Sequence, residues 1–460
     1  MTDAAPRLAA VAETLMGAPL PVRIRAWDGS EAGPPTGPTL VLNHRRALRR
    51  ILWKPGELGL ARAWVAGDLT VEGDLFDLLD RVAGLFWERP APAAAPPPAK
   101  ARPTGLARLR PHLPDRSAGD TGTAALLRDP QARAAVRELI ALARPWPAPA
   151  PPPEEAARRG GPQHSKSRDR QAISHHYDVG NEFYEHVLGP SMVYSCAYWS
   201  PGSTLEGAQR DKLDLVCRKL ALAPGVRLLD VGCGWGSMAL HAAREYGVQV
   251  TGITLSREQA AYARKRVAEE GLADRIEIRV QDYRDVKDGP YGAISSIGMA
   301  EHVGAERYRE YARTLYALLS PGGRLLNHQI ARPPEPDEEA YRIDEFIDAY
   351  VFPDGELSPL GTTVGELERA GFEVRDVEAL REHYGLTLRA WVARLEDHWE
   401  EAVRLTSPGR ARVWRLYMAA SALGFEHGRL GVNQVLAVRP GDGGTSGLPL
   451  RLRTWGAQPS

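Results

Sequence analysis

The stretch Leu228 to Gly236, LLDVGCGWG, constrains this chain more than any other. Val226-Arg227-Leu228-Leu229 reads as a buried strand, Asp230 with Gly232, Gly234 and Gly236 turns the chain, and Ser237 to Tyr246 has helical periodicity. Glycine is needed where backbone must approach a ligand closely. Strand, glycine turn and helix make the ligand-binding end of a doubly wound sheet, where ligands lie outside the carboxyl ends of the strands. A lone G-x-G-x-G also describes an ordinary strand-to-helix turn, so the surroundings decide. Pro224-Gly225 precedes the strand, and Asp230 can aim a carboxylate across the turn at a cationic ligand. A second strand, Val248 to Leu255, with a helix from Ser256, completes a βαβ unit. The expected fold class is α/β, a doubly wound Rossmann-like sheet.

A length of 460 residues is too great for one ordinary domain and implies two or three. The formal net charge is zero, so whole-chain charge implies no nucleic-acid partner. Cys196, Cys217 and Cys233 have neither paired nor metal-ligand spacing, which fits a reducing cytoplasm and no metal. The start MTDAAPRLAA lacks a charged-then-apolar leader, and no run reaches the roughly 18 apolar residues that span a bilayer. A lipid substrate would have to be met from the membrane surface. The expected location is cytoplasmic, peripheral to the inner face of the cell membrane.

Residues 1–88 read as a small α/β module: a helix over Pro6 to Met16, strands at Val22 to Trp27 and Thr39 to Leu42, then helical pattern to about Leu85. Arg45, Arg46, Arg49, Arg50 and Lys54, interleaved with Leu48, Ile51, Leu52 and Trp53, suit a helix resting on anionic lipid or an ordinary solvated face. Residues 89–165 are rich in Pro and Ala and read as a linker, with helical periodicity only at Thr121 to Ala143. A catalytic domain is expected over 166–440, with strands at 226–230, 248–255, 275–281, 292–298 and 324–331. Helices are expected at 305–319 and 364–370, with one long helix from Thr387 to Leu405, another over Arg410 to Phe425, and a closing strand Val432 to Val438. Residues 441–460 read as a flexible tail.

Several motifs act together: HHYDVGNEFYEHVL with Asp178 and Asn181, MVYSCAYW at Met192 to Trp199, ITLSREQ at Ile253 to Gln259, QDYRD at Gln281 to Asp285, GMAEHVG at Gly298 to Gly304, and HQI at His328 to Ile330. With LLDVGCGWG they resemble the cyclopropane-fatty-acyl-phospholipid synthase family of S-adenosylmethionine-dependent class I methyltransferases. That family includes mycolic-acid cyclopropane synthases and fatty-acid methyltransferases. The resemblance implies a Rossmann-like sheet with helical lid insertions, covering about Ser167 to Arg439. The front module resembles the amino-terminal domain of the longer bacterial members.

A sulfonium is a cation, suited by carbonyls and aromatic faces, for which Tyr194, Ser195 and Trp235 are candidates. Asp230 and the backbone of Gly232, Gly234 and Gly236 complete that end of the cofactor site. The second strand ends Thr254-Leu255-Ser256 without the carboxylate that dinucleotide folds use for ribose. The resemblance implies that Gln259 serves instead, and that Asp282 and Tyr283 hold and cover the adenine.

A cis alkene is a weak nucleophile, so alignment against a methyl sulfonium supplies much of the catalysis. The resulting carbocation needs a dry aromatic tunnel, for which Tyr198, Trp199, Phe346, Tyr350 and Phe352 are candidates, part of it in the insertion carrying Tyr350 to Gly355. The resemblance implies a bound bicarbonate that takes the last proton, held by Cys196, Glu301, His328, the Ile330 backbone and Tyr384. Glu301 suits an anion only if one proton is shared between the two.

The expected reaction is methylene transfer from S-adenosylmethionine to the cis double bond of an unsaturated acyl phospholipid, giving a cyclopropane. The alternative is a hydride shift that yields a 10-methylene branch, the precursor of a 10-methyl chain, which would require a partner reductase. A homodimer is left open. A cofactor-binding protein without chemistry would show damage at Asp230, Glu301 or His328, and none is seen. A nitrogen or oxygen methyltransferase would not need the HQI and EHVG stretches.

Overall fold

The computed structural model describes residues 3–87, 129–144, 146–156, 165, 166, 168, 169, 179–338 and 341–450. Asp178, the 89–128 part of the expected linker and the last ten residues lie outside these. The chain divides into two compact units, Met1–Pro152 and Pro153–Ser460.

The first unit orders α1 (Ala4–Met16), β1 (Arg23–Arg25), β2 (Glu31–Ala32), β3 (Thr39–Leu42), α2 (Arg46–Trp53), α3 (Glu57–Val65), β4 (Leu69–Glu72), α4 (Leu75–Trp87) and α5 (Pro130–Ala143). Its sheet runs β2-β1-β3-β4. The helical pattern expected up to Leu85 is broken by β4, whose four residues pair antiparallel with β3 and are too short to show a period of their own. Within the segment expected as a linker, α5 is capped by Asp129, whose side chain accepts from Gln131 N at 2.9 Å. Leu142 and Ala143 of α5 join Leu8, Ile24 and Leu48 in this unit's core.

The second unit contains α6 (Asn181–Leu188), α7 (Leu205–Lys219), β5 (Arg227–Val231), α8 (Ser237–Tyr246), β6 (Gln249–Thr254), α9 (Arg257–Glu269), β7 (Ile276–Val280), β8 (Tyr291–Ile297), α10 (Ala300–Val303), α11 (Ala305–Leu318) and β9 (Leu319–Arg332). It continues with β10 (Ser358–Pro359), α12 (Leu360–Arg369), β11 (Glu373–Ala379), α13 (Arg381–Asp397), α14 (Trp399–Leu405), α15 (Pro408–Glu426) and β12 (Gly431–Val438). The order is β11-β12-β9-β8-β5-β6-β7, with β10 beside β9. Strands β7, β6, β5, β8 and β9 are parallel, and β12 inserts antiparallel between β9 and β11. Apolar residues fill both faces: Val216, Leu228, Val250 and Ile278 on one, Leu229, Ile294, Tyr311 and Leu325 on the other. A parallel sheet must be covered on both sides, which is why its strands read as apolar runs.

Two expectations need correction. The single helix from Thr387 to Leu405 is two, α13 and α14, broken at His398. Strand β11 was not foreseen, because as an edge strand it is only partly buried and presents no apolar run.

Parallel order reverses between β5 and β8, which puts the carboxyl ends of β5, β6 and β8 around one crevice. Gly236 ends the turn at its mouth in left-handed conformation, φ +84°, and a Cβ there would stand 3.0 Å from the Ala263 Cβ on α9. Gly236→Ala is expected to cost about 1–2 kcal/mol, from the left-handed backbone and that contact. Urea unfolding of the variant would measure it.

Candidate active site

At the crevice lies a cavity of about 1160 Å³, partly open to solvent. Of the proposed cofactor residues, Tyr194, Ser195, Asp230, Gly232, Gly234, Trp235, Thr254, Leu255, Gln259, Asp282 and Tyr283 line it. Gly236 stands behind them as the N-cap of α8.

Asp230 ends β5 between two neighbouring strands. One carboxylate oxygen accepts from Ser295 Oγ at 2.7 Å, and the other is buried without a partner. Burial raises its pKa to about 6, against the opposing pull of Ser295 and Lys212. An unpartnered buried carboxylate oxygen is costly, and at a cavity wall it marks a place for a donor. At the end of β6, Thr254 Oγ1 donates to Gln259 Oε1 at 2.9 Å, so the amide's NH2 end is what remains for a ligand. Asp282 accepts from Arg284 N at 2.9 Å and from the Arg284 guanidinium at 2.8 and 2.6 Å. It therefore caps a turn as well as lining the cavity. Burial would raise its pKa, but these bonds outweigh it and hold the carboxyl below its ordinary range. Tyr283 is buried edge-on against Tyr311.

The segment before α7 is clamped from that helix. Gln209 Nε2 donates to the Ser195 carbonyl and Lys212 Nζ to Ser195 Oγ, both at 2.9 Å. Lys212 itself lines the cavity, and burial lowers its pKa to about 8. The motif asparagine also finds its place: Trp235 Nε1 donates to Asn181 Oδ1 at 2.8 Å, tying α6 to the glycine turn.

The five candidate catalytic residues are not among the cavity's lining. Four of them, Glu301, Ile330, Tyr384 and Cys196, are linked through hydrogen bonds and the β9–β12 register. Ile330 N donates to Glu301 Oε1 at 2.8 Å. Ile330 lies opposite Val432, whose carbonyl accepts from Leu380 N. The Leu380 carbonyl in turn accepts from Tyr384 N and from Cys196 Sγ, the latter at 3.6 Å. The Ile330 N–H is therefore engaged by Glu301. Burial pushes the Cys196 thiol far above its ordinary range, which rules against a thiolate nucleophile.

Glu301 and His328 are the titrating groups of this corner. Glu301 Oε2 and both ring nitrogens of His328 are buried without partners. Burial raises Glu301 to about 7. Burial, with the Lys212 and Lys219 charges, holds His328 neutral, well below its ordinary range. The neighbours of His328 on β9 are different. Tyr308 donates to Gln329 Oε1 at 2.8 Å, Asn327 Nδ2 does so at 2.7 Å, and Gln329 donates to Thr363 at 2.7 Å. One face of the strand is satisfied and the other is not.

Sequence reasoning missed the aromatic wall. Tyr194 lies 5.3 Å from Trp391 and 5.8 Å from both Tyr184 and Trp414, and Tyr184 lies 4.6 Å from Trp235. Tyr417 follows 5.9 Å from Trp414 and meets Phe352 of the insertion at 5.8 Å. Its pKa is pushed up to about 12, by burial first and then by Glu301. Of the aromatics expected for the tunnel, Phe352 joins this wall, and Phe346 and Tyr350 pack together at 5.7 Å. Tyr198 and Trp199 are tied to α13: Tyr198 stacks on His383, and Trp199 Nε1 donates to Thr387 at 3.0 Å. Gln434 was missed too. It sits opposite His328 in register and is oriented by Lys219, which donates to its Oε1 at 2.8 Å. Only the i, i+3 spacing of Trp414 and Tyr417 was visible as a signal, and it reads equally as core.

The family profile described as mycolic acid cyclopropane synthetase matches residues 164–435. The chain is 42% identical to a probable fatty acid methyltransferase of Mycobacterium tuberculosis over 444 residues, 94% of each chain. It is 38% identical to the cyclopropane-fatty-acyl-phospholipid synthase of Escherichia coli over 57% of this chain and 66% of that protein. A crystal structure of mycolic acid cyclopropane synthase complexed with SAH and CTAB superposes with a TM-score of 0.56 at 32% identity. It covers 58% of this chain and 98% of that one.

The raised Glu301 carboxyl predicts a pH effect. An unfolded glutamate titrates near 4.3, so the folded state holds the extra proton between that value and about 7. The stability contributed by this group is complete below the unfolded value and is lost as pH rises through about 7. Glu301→Gln, which keeps an acceptor for Ile330 N–H, should therefore gain on the wild type from pH 5 to pH 8, by on the order of 3 kcal/mol at most. Thermal melts of the two proteins across that range would show it.

Proposed function

The chain belongs to the mycolic acid cyclopropane synthetase family, and on that premise we propose an S-adenosylmethionine-dependent enzyme that adds a one-carbon unit to the cis double bond of an unsaturated acyl chain in a membrane phospholipid, closing a cyclopropane ring. The observation that carries this reading is the pair Glu301 and His328: Glu301 Oε2 and both His328 ring nitrogens are buried without partners, and Glu301 is close enough to Tyr417 of the aromatic wall to raise its pKa.

Asp230 Oδ2 and the Gln259 amide fit the cationic and hydroxyl-bearing parts of S-adenosylmethionine, with Asp282 and Tyr283 at its adenine end. When bound, it supplies an electrophilic methyl group on a sulfonium. Addition of that carbon leaves positive charge on the acyl chain, and ring closure requires loss of one proton from the added carbon. Tyr194, Trp414, Tyr417 and Phe352 would face the charge with aromatic rings and keep water away. The donor set at the second corner fits a small oxyanion such as bicarbonate. His328 is neutral and has one N–H to give, and Glu301 can share a proton near neutral pH. Bicarbonate would supply the base.

A second reading has one observation in its favour: the relative that matches over 94% of its length is named a fatty acid methyltransferase. In that reading a hydride shift precedes proton loss, the product is a methylene branch, and a separate reductase completes a methyl branch. Peripheral attachment to the inner face of the membrane belongs to both readings.

Incubation with S-adenosylmethionine and oleoyl phospholipid vesicles, followed by proton NMR of the released acyl chains, decides between them. High-field ring protons are expected; vinylic methylene protons would establish the second reading, and no product would remove both. Glu301→Gln should lower turnover at least about 100-fold with cofactor affinity kept. Asp230→Ala should weaken that affinity about tenfold by calorimetry.

A further inference from the structure

Exposed large apolar side chains are unevenly spread among the described residues. Half of them, Trp53, Leu60, Ile140 and Trp146, belong to the first unit. Trp53 is 51% and Trp146 78% exposed, and their rings lie 6.1 Å apart. Indole is amphipathic and is enriched where one end of a residue meets an apolar phase and the other meets water. Two such rings held side by side in solvent need a reason.

The structure shows how they are held. Trp53 is the last residue of α2, and Trp146 follows α5 in the chain. Arg49 donates to the Ala143 carbonyl at 3.1 Å and Arg50 to the Ala150 carbonyl at 2.6 Å, so Ala143 and Ala150 are both fastened to α2. Arg50 also pairs with buried Asp68 at 2.9 Å. Ala47 and Leu48 anchor the helix in the core, which leaves the tryptophans on the outside. The charge around them is positive in excess, although Arg46 as well as Arg50 pairs with Asp68. Over 43–60 and 144–152 the chain carries Arg45, Arg46, Arg49, Arg50, Lys54 and Arg144 against Glu57 alone.

We propose that the Trp53–Trp146 pair with its cationic surround is a docking surface for an anionic lipid bilayer. The inference rests on the reading that the substrate is a membrane lipid. Charge complementarity chooses the occupant: cations attract acidic headgroups, and the two indoles enter the headgroup boundary. A second copy of this chain would bring the same cations against themselves.

The test uses the full chain and co-sedimentation with phosphatidylcholine vesicles, with and without phosphatidylglycerol. The wild type is expected to bind the anionic vesicles. The paired substitution Trp53→Ala, Trp146→Ala should reduce that partitioning about tenfold, and Lys54→Gln with Arg144→Gln should reduce it on anionic vesicles alone. Unchanged binding of the tryptophan variant overturns the proposal. So does a change in its mass by light scattering with vesicle binding intact, which would give the surface to a second copy. Brominated phosphatidylglycerol should quench wild-type tryptophan emission, and absence of quenching overturns the proposal without any variant. Acyl product formed in detergent micelles reports on the methyl-transfer reading separately, because micelles remove the need for bilayer docking.

Discussion

Strand β9 alternates, and the rest of the site depends on that alternation. Successive side chains of a strand point to opposite faces. Asn327 and Gln329 turn to one face and saturate their bonds with Tyr308, Tyr311 and Thr363. His328 turns to the other and makes none. Buried polar atoms are rarely left unpaired in a fold that has plenty of partners to offer, so the contrast within three residues sets His328 apart from its neighbours. The satisfied network fixes where the strand lies, and the unsatisfied imidazole receives a defined position from it.

Burial governs both titrating groups at this corner, in opposite chemical senses. It discourages charge on either, which makes the glutamate willing to keep a proton and the histidine unwilling to take one. Glu301 so poised can exchange a proton near neutral pH while His328 stays neutral. The cavity at the glycine turn is a different environment, where Lys212 donates to Ser195 and Asp230 accepts from Ser295. The residues lining the cavity and the Glu301–His328 corner are thus distinct groups of atoms.

The doubly wound sheet and the cofactor crevice were legible because short-range chemistry creates them. Glycines at 232, 234 and 236, with residues at strand ends, are brought together by topology once the strands are known. Thr254 lies at such a strand end, whereas Gln259 and Asp282 come from the resemblance of ITLSREQ and QDYRD. Topology alone does not find Tyr184, Trp414 and Tyr417, which come from helices far apart in the chain and look like ordinary core aromatics. Nor does it find Gln434, whose place beside His328 follows from an antiparallel register. Strand β11 and the break at His398 were hidden for a related reason, since each is settled by neighbours that periodicity does not include.

The insertion that carries Phe352 is fastened at Glu356. Its backbone N–H donates to the Glu301 carbonyl at 3.0 Å, and its carboxylate accepts from Ala305 N at 3.0 Å. One residue thus grips both sides of the turn at Gly304, directly behind the carboxyl that keeps a proton. Displacing the insertion would therefore strain the turn at Gly304 and, through it, the backbone that sets the Glu301 carboxyl.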